Sequence, residues 1–310
     1  MRPENTPTGD FVANFDAITS AKQKNRRKWL SKLRPFVVSR YCEFWMNRAE
    51  LGGLSRKQWS VLSAKVLRHC YESKVAPLAK MKERFFYEMS DLSKSRCAYC
   101  MLREPNEIDH YLPIDVFPEF SVLPANWVHV CGICNRRKGT ELTGPPRSIL
   151  NPYFDGVSGD EALLYAELQY EAGVPHVIFV VPNPNPLHLN PTLPEVAQRQ
   201  LENDVLKIKS SLEKEGNSAL SAIIGVIVDE APGALSNASL ISSLQARRRN
   251  LEDQSINGWE RSLLEAMETC EQLLAHINQR IANREVIEEI PPARNLNIIL
   301  RAQAILAAGG

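Results

Sequence analysis

Two Cys-x-x-Cys pairs, Cys97-Ala98-Tyr99-Cys100 and Cys131-Gly132-Ile133-Cys134, stand thirty residues apart. Two matched knuckles supply the four thiolates of a closed tetrahedral zinc site, and a short irregular segment that cannot bury enough apolar surface needs such a staple. With sulfur at all four positions no coordination site is left for water or substrate, so the expected Zn²⁺ is structural. Cys42, Cys70 and Cys270 lack paired spacing and read as buried small hydrophobes.

Reactive side chains lie between and just after the knuckles. Glu107-Ile108-Asp109-His110 precedes Leu112-Pro113; Asn126-Trp127 approaches the second knuckle, and Asn135-Arg136-Arg137-Lys138-Gly139 follows it. Hydrolysis of a phosphodiester needs a proton acceptor for water and an electrophile that stabilises charge on the phosphate. His110, a side chain whose unperturbed pKa is near neutrality, sits beside a carboxylate and is the candidate general base. Asp109 offers a hard oxygen ligand and Asn135 a second through its amide, a set that suits Mg²⁺ or Mn²⁺. On a helix after Cys134, Asn135 and Lys138 are neighbours at i and i+3. Lys138 is expected to meet substrate phosphate or brace the metal site, and Arg136 or Arg137 to track the backbone, although a solvated surface turn accounts for each charge as well. Glu107 would share a strand face with Asp109 and support the metal shell, and His129 reads as an inward core histidine.

The run IDHYLPIDVFP…ANWVHVCGICNRRKG resembles the HNH endonuclease motif of the ββα-metal superfamily, in its cysteine-flanked form. The resemblance covers residues 97–139, less than one seventh of the chain, with every signature element in order. It implies a DNA endonuclease of low sequence specificity that leaves 5′ phosphate and 3′ hydroxyl ends, with His110 as base and Asp109 and Asn135 on the catalytic metal. Asn126, sixteen residues after His110, takes the place of the Asn that braces the loop holding the base. Asn135 stands where other members carry His, which disfavours Ni²⁺ or Zn²⁺ at the catalytic position. The arrangement is similar to HNH effector subunits of bacterial antiphage defence, some of which act beside an ABC-type ATPase, so a gating partner of that kind is expected. Two alternatives stay open: a non-catalytic zinc ribbon that binds nucleic acid or protein, and a nuclease acting on RNA.

The elements that must position these residues follow from patterning. From Phe11 to about Leu92 the apolar spacing is helical; from Cys97 to about Asp155 it is irregular, with a strand-like run Trp127–Val130. A hairpin is expected from Tyr165–Tyr170 and His176–Val181 around a Gly173-Val174-Pro175 turn. Val181 to Pro194 packs five prolines into fourteen residues and can be neither helix nor central strand. Helix returns at Glu195–Glu215, Leu240 to about Glu285, and Leu296–Leu306, with a stripe of Leu263, Leu264, Met267, Leu273, Leu274 and Ile277 expected to be core. The fold class is thus mainly α with a small ββα-metal module, in four parts: 1–94 basic helical, 95–155 the zinc-held HNH module, 156–194 hairpin and Pro-rich connector, 195–310 acidic helical.

Charge follows the same division. The 310 residues carry 37 basic and 36 acidic side chains, but residues 1–150 hold 25 basic against 15 acidic and residues 151–310 hold 12 against 21. The basic half holds the reactive residues, and its run from Lys22 to Arg34 reads either as a solvated helix face or as a phosphate-tracking surface. The acidic half suits a basic partner or self-restraint. Arg247-Arg248-Arg249 sits there and is expected to neutralise nearby acids. The first twenty residues lack a signal-peptide apolar run and no stretch reaches membrane-spanning length, so a cytoplasmic protein is expected.

Overall fold

Five helices build the N-terminal region of the computed structural model: α1 (Phe11–Ser20), α2 (Lys24–Met46), α3 (Val61–Glu72), α4 (Ala76–Tyr87) and α5 (Asp91–Ser95). The structure describes residues 6–140, 147–155, 164–181, 193–251 and 258–288. Helices α1, α3 and α5 open on side-chain caps, in which Asp10, Ser60 and Ser90 accept from the N–H three residues on and satisfy a donor that helix geometry orphans. Lys22 leaves the basic run at this level. It is 4% exposed between α1 and α2 and donates to the His69 carbonyl at 3.0 Å and to Ser73, whereas Lys24, Arg26, Arg27, Lys28 and Lys32 are exposed.

Next come β1 (Glu107–His110) and β2 (Trp127–Val130), an antiparallel pair in the register Glu107 to Val130 and His110 to Trp127, then α6 (Gly132–Lys138). The second antiparallel pair is β3 (Tyr165–Glu171) and β4 (Val174–Val180). Its turn differs from the expected one: Ala172 and Gly173 take φ of 49° and 80°, a two-residue turn whose twist matches the strands, so Val174 and Pro175 belong to β4. The C-terminal helices are α7 (Leu193–Glu202), α8 (Ile208–Glu230), α9 (Asn237–Arg249), α10 (Trp259–Thr269) and α11 (Glu271–Glu288). The expected helix over 195–215 is broken, because Asp204, Leu206 and Lys207 adopt left-handed φ between 47° and 60° and the Asp204 carboxylate turns to accept from Ser210 N at 3.0 Å. The stretch Leu296–Leu306 and most of the proline-rich connector lie outside the described residues.

Packing makes these parts one body. A continuous buried cluster runs from Phe15 and Leu30 through Trp127 and Val130 to Leu263 and Ile281. Helix α8 lies so close to β4 that a Cβ on Gly216 would come within 2.8 Å of Val177 and 2.9 Å of Phe179, which accounts for a glycine in mid-helix despite its cost. Of the α10–α11 stripe, Leu263, Leu264, Met267, Leu273 and Ile277 are buried, as expected of core. Arg248 pairs with Glu268 at 2.8 Å and Arg247 with Glu230 at 3.7 Å, the neutralising role expected of that triplet. The described chain is mainly helical with two small two-stranded sheets. Among the described residues no helix is long and apolar enough to cross a membrane.

Candidate functional site

Backbone geometry brings the four thiols together. Cys97 and Cys100 flank a turn closed by Met101 N to the Cys97 carbonyl at 2.9 Å, and Cys131 caps α6, its sulfur accepting from Cys134 N. The four Sγ atoms are buried and lie within 4.8 Å of one another. Sulfurs of a tetrahedral zinc–thiolate centre lie about 3.8 Å apart, so the donor set fits such an ion and leaves no open position. Cys70 is buried as expected, but Cys42 is exposed, and no second group of metal-ligating side chains forms among the described residues.

The two-residue period of β1 sends its reactive side chains to opposite faces. Glu107 and Asp109 face α6, and Ile108 and His110 face the N-terminal helices, each opposite its β2 partner. On the α6 side, Asn135 donates through Nδ2 to Glu107 Oε2 at 2.7 Å. Since a carboxylate only accepts, this leaves the Asn135 amide oxygen for a ligand. A Cβ on Gly132 would collide with Glu107, so glycine between the second pair of cysteines is what lets that carboxylate reach α6. Arg136 approaches Glu107 at 3.9 Å with 71% of its side chain exposed, while Arg137 donates to the Leu206 carbonyl at 2.8 Å in the break between α7 and α8.

Asp109 is enclosed. Tyr99 Oη donates to its Oδ2 at 2.6 Å, and Lys138 Nζ lies 2.9 Å from the same oxygen and 2.7 Å from the His110 carbonyl. Lys138 is 2% exposed, its ammonium turned inward to Asp109 and the His110 carbonyl and away from solvent, where a substrate phosphate would approach. Burial pushes the lysine pKa down and the Asp109 charge opposes that shift. Burial, then the same carboxylate, pushes the Tyr99 pKa up, which keeps the phenol a donor. Asp109, Asn135 and Glu107 are oxygen donors of the type hard divalent cations take, and Asp109 already engages Tyr99 and Lys138 through Oδ2 and Lys138 through Oδ1 at 3.2 Å.

His110 closes β1 on the other face. Its Nε2 lies 2.8 Å from the Ser121 carbonyl, which also accepts from Trp127 Nε1 at 3.0 Å. A carbonyl has no proton to give, so Nε2 carries the hydrogen and Nδ1 the lone pair. Burial lowers the His110 pKa to about 4, so the ring is neutral at physiological pH. Tyr71 of α3 packs edge-on against it at 4.5 Å, and Lys82 of α4 stands over the Tyr71 ring at 3.9 Å. Asn126 clamps the loop after His110: its Oδ1 accepts from Leu112 N at 2.8 Å and its Nδ2 donates to the Leu112 carbonyl at 3.0 Å, the bracing role expected of it. His129 is 7% exposed with Nδ1 at 3.2 Å from the Ser93 carbonyl, a core histidine as expected.

The loop between β1 and β2 is bolted to the helices. Glu119, 1% exposed, pairs with Arg40 of α2 at 2.8 Å and accepts from Trp59 Nε1 at 2.7 Å, and Ser121 Oγ donates to the Leu67 carbonyl of α3 at 2.8 Å. Arg40→Met strands a buried carboxylate and is expected to lower stability by about 3–5 kcal/mol in urea unfolding; a loss below 1 kcal/mol would show the pair to be dispensable. Sequence reasoning missed Tyr99, Tyr71, Lys82, Ser121 and the Arg40–Glu119 pair. Tyr99 lies inside the first knuckle and was within reach; the others come from segments with no fixed spacing to His110.

No family model matches the chain and no solved structure matches it. Protein ea31 of Escherichia phage lambda is 30% identical over 92 residues, 29% of this chain and 31% of that protein. The shared stretch spans less than a third of the length of the phage protein, and the similarity is one of sequence over that stretch.

Proposed function

We propose that the chain is a metal-dependent endonuclease of HNH type that hydrolyses DNA with little sequence specificity. The observation that carries this reading is the hydrogen bond from His110 Nε2 to the Ser121 carbonyl, which puts the lone pair of the neutral imidazole on Nδ1. A fixed neutral tautomer is what a general base needs, and what separates His110 from the core histidine His129, which Ser93 fixes in the same way, is its position beside Asp109 on β1. Nδ1 of His110 takes the proton of the attacking water. Asp109 and Asn135 would hold Mg²⁺ or Mn²⁺, with Glu107 orienting the Asn135 amide. When bound, the cation supplies charge stabilisation to the phosphate and the leaving oxygen. Lys138 holds Asp109 and the His110 backbone together, Asn126 holds the loop, and Arg136 is the exposed cation at the rim for substrate backbone.

The enclosure of Asp109 by Tyr99 and Lys138 favours a second reading, a zinc-held binding module without catalysis. Incubating supercoiled plasmid and a labelled RNA with the purified protein separates the two. Nicking of DNA that requires added Mg²⁺ or Mn²⁺ is expected; absence of cleavage of either polymer with both metals, alone and with the product of the neighbouring gene, would leave the binding module. Resemblance to antiphage effectors makes restraint by a partner such as an ABC-type ATPase part of the proposal, with the acidic C-terminal half as the docking side.

A further inference from the structure

Helices α2 and α3 enclose a groove that none of the four thiols lines. It is open, about 350 Å³ in volume, and lined by Asn25, Arg26, Trp29, Leu62, Lys65 and His69. Trp29 is 36% exposed and Leu62 51%, large apolar surface that folding leaves in water. Among the described residues no ion pair involves Arg26 or Lys65, and the exposed Lys24, Lys28 and Lys32 continue the cationic row along α2. Beneath it the buried Lys22 ammonium lies 3.5 Å from His69 Nδ1. Burial, and after it the charges of Lys22 and Arg26, lower the His69 pKa, as in a positive field that acids do not cancel; Glu72 opposes only in part.

An indole and a leucine face between unpaired cations suit a polymer with flat apolar rings on an anionic backbone. We propose that this groove binds single-stranded nucleic acid, with a base stacked on Trp29 and phosphates on Arg26 and Lys65. Duplex DNA keeps its bases stacked inward and would offer the groove its phosphates alone. The inference rests on the proposal that this chain meets nucleic acid, and makes the unwound or frayed strand its preferred form.

Binding is measured on His110→Ala protein without added divalent metal, by anisotropy of a labelled mixed-sequence DNA 20-mer and of the matched duplex, across a salt series. Arg26→Glu with Lys65→Glu is expected to weaken single-strand binding at least about tenfold and to lower the log–log salt slope by about 1.4, the release from two phosphate contacts. Trp29→Ala is expected to weaken single-strand binding roughly 5- to 100-fold and duplex binding much less. Zinc content and melting temperature certify each fold. Variants that fold but keep wild-type affinity and salt slope overturn the groove, as does binding of a poly-glutamate peptide with the 20-mer failing to compete. Cleavage is scored separately on His110-intact protein: single-strand binding lost in the variants, with no cleavage by wild type under any metal, refutes the nuclease and keeps the groove.

Discussion

Cys131→Ser protein is expected to emerge from purification without zinc and with the segment from residue 97 to 139 exposed to protease. Strands β1 and β2 have four residues each, and a two-stranded hairpin of that length does not hold itself together in water. Structural zinc contributes about 10–16 kcal/mol at neutral pH to folds of this size, comparable to the total stability of an ordinary domain. Because Trp127, Val128 and Val130 belong to the common core, the loss spreads to the flanking helices and appears as a lower melting temperature of the whole chain. Cys42→Ser, at an exposed position outside the cluster, is expected to keep about one zinc per chain. Acid is expected to release the ion as protons compete for the thiolates. A Cys131→Ser, Cys134→Ser double variant that retained a full equivalent of zinc would end the assignment.

His110→Ala is expected to reduce plasmid nicking by roughly 10²- to 10⁴-fold, the usual contribution of a general base. The fold should tolerate the change. Trp127 Nε1 continues to satisfy the Ser121 carbonyl, and Asn126 continues to hold the loop. The deleted ring leaves a cavity beside Tyr71, for which about 1–3 kcal/mol of stability is expected to be lost, well short of unfolding. Zinc content therefore stays at the wild-type value while the rate falls, and that divergence distinguishes a lost base from a damaged module. Unchanged nicking by the alanine variant would remove His110 from the mechanism and leave the Glu107–Asn135–Asp109 face to be tested alone.

What was legible in advance follows the range of the forces involved. Matched cysteine spacing reads directly as a donor set, because the chelate geometry is local, and the four sulfurs do converge. The strand-like run Trp127–Val130 forms β2, a strand at Glu107–His110 followed only from the resemblance, and Asn126 clamps the loop after His110. Lys138 was half legible: i and i+3 spacing set it beside Asn135, but only packing decided that its ammonium turns inward to Asp109. The break at 204–207 was invisible, since left-handed backbone at Leu206 and Lys207 runs against the preference of those residues and is held by tertiary contacts. Arg40 and Glu119 are 79 positions apart, and no periodicity joins them.

The hydrogen bond from Arg137 to the Leu206 carbonyl, taken with the Arg40–Glu119 pair, bears on whether the cysteine-flanked segment is portable. One tether fixes the end of α6 from the C-terminal side; the other fixes the long loop from the N-terminal side. Residues 97–139 grafted into a foreign scaffold would bring the thiols, Asp109, His110 and Asn135, and would leave behind both moorings. Such a chimera should still load zinc, more weakly than the parent because it lacks the shared core, and hold its histidine loosely, so that metal loading and the orientation of the ring become separable properties.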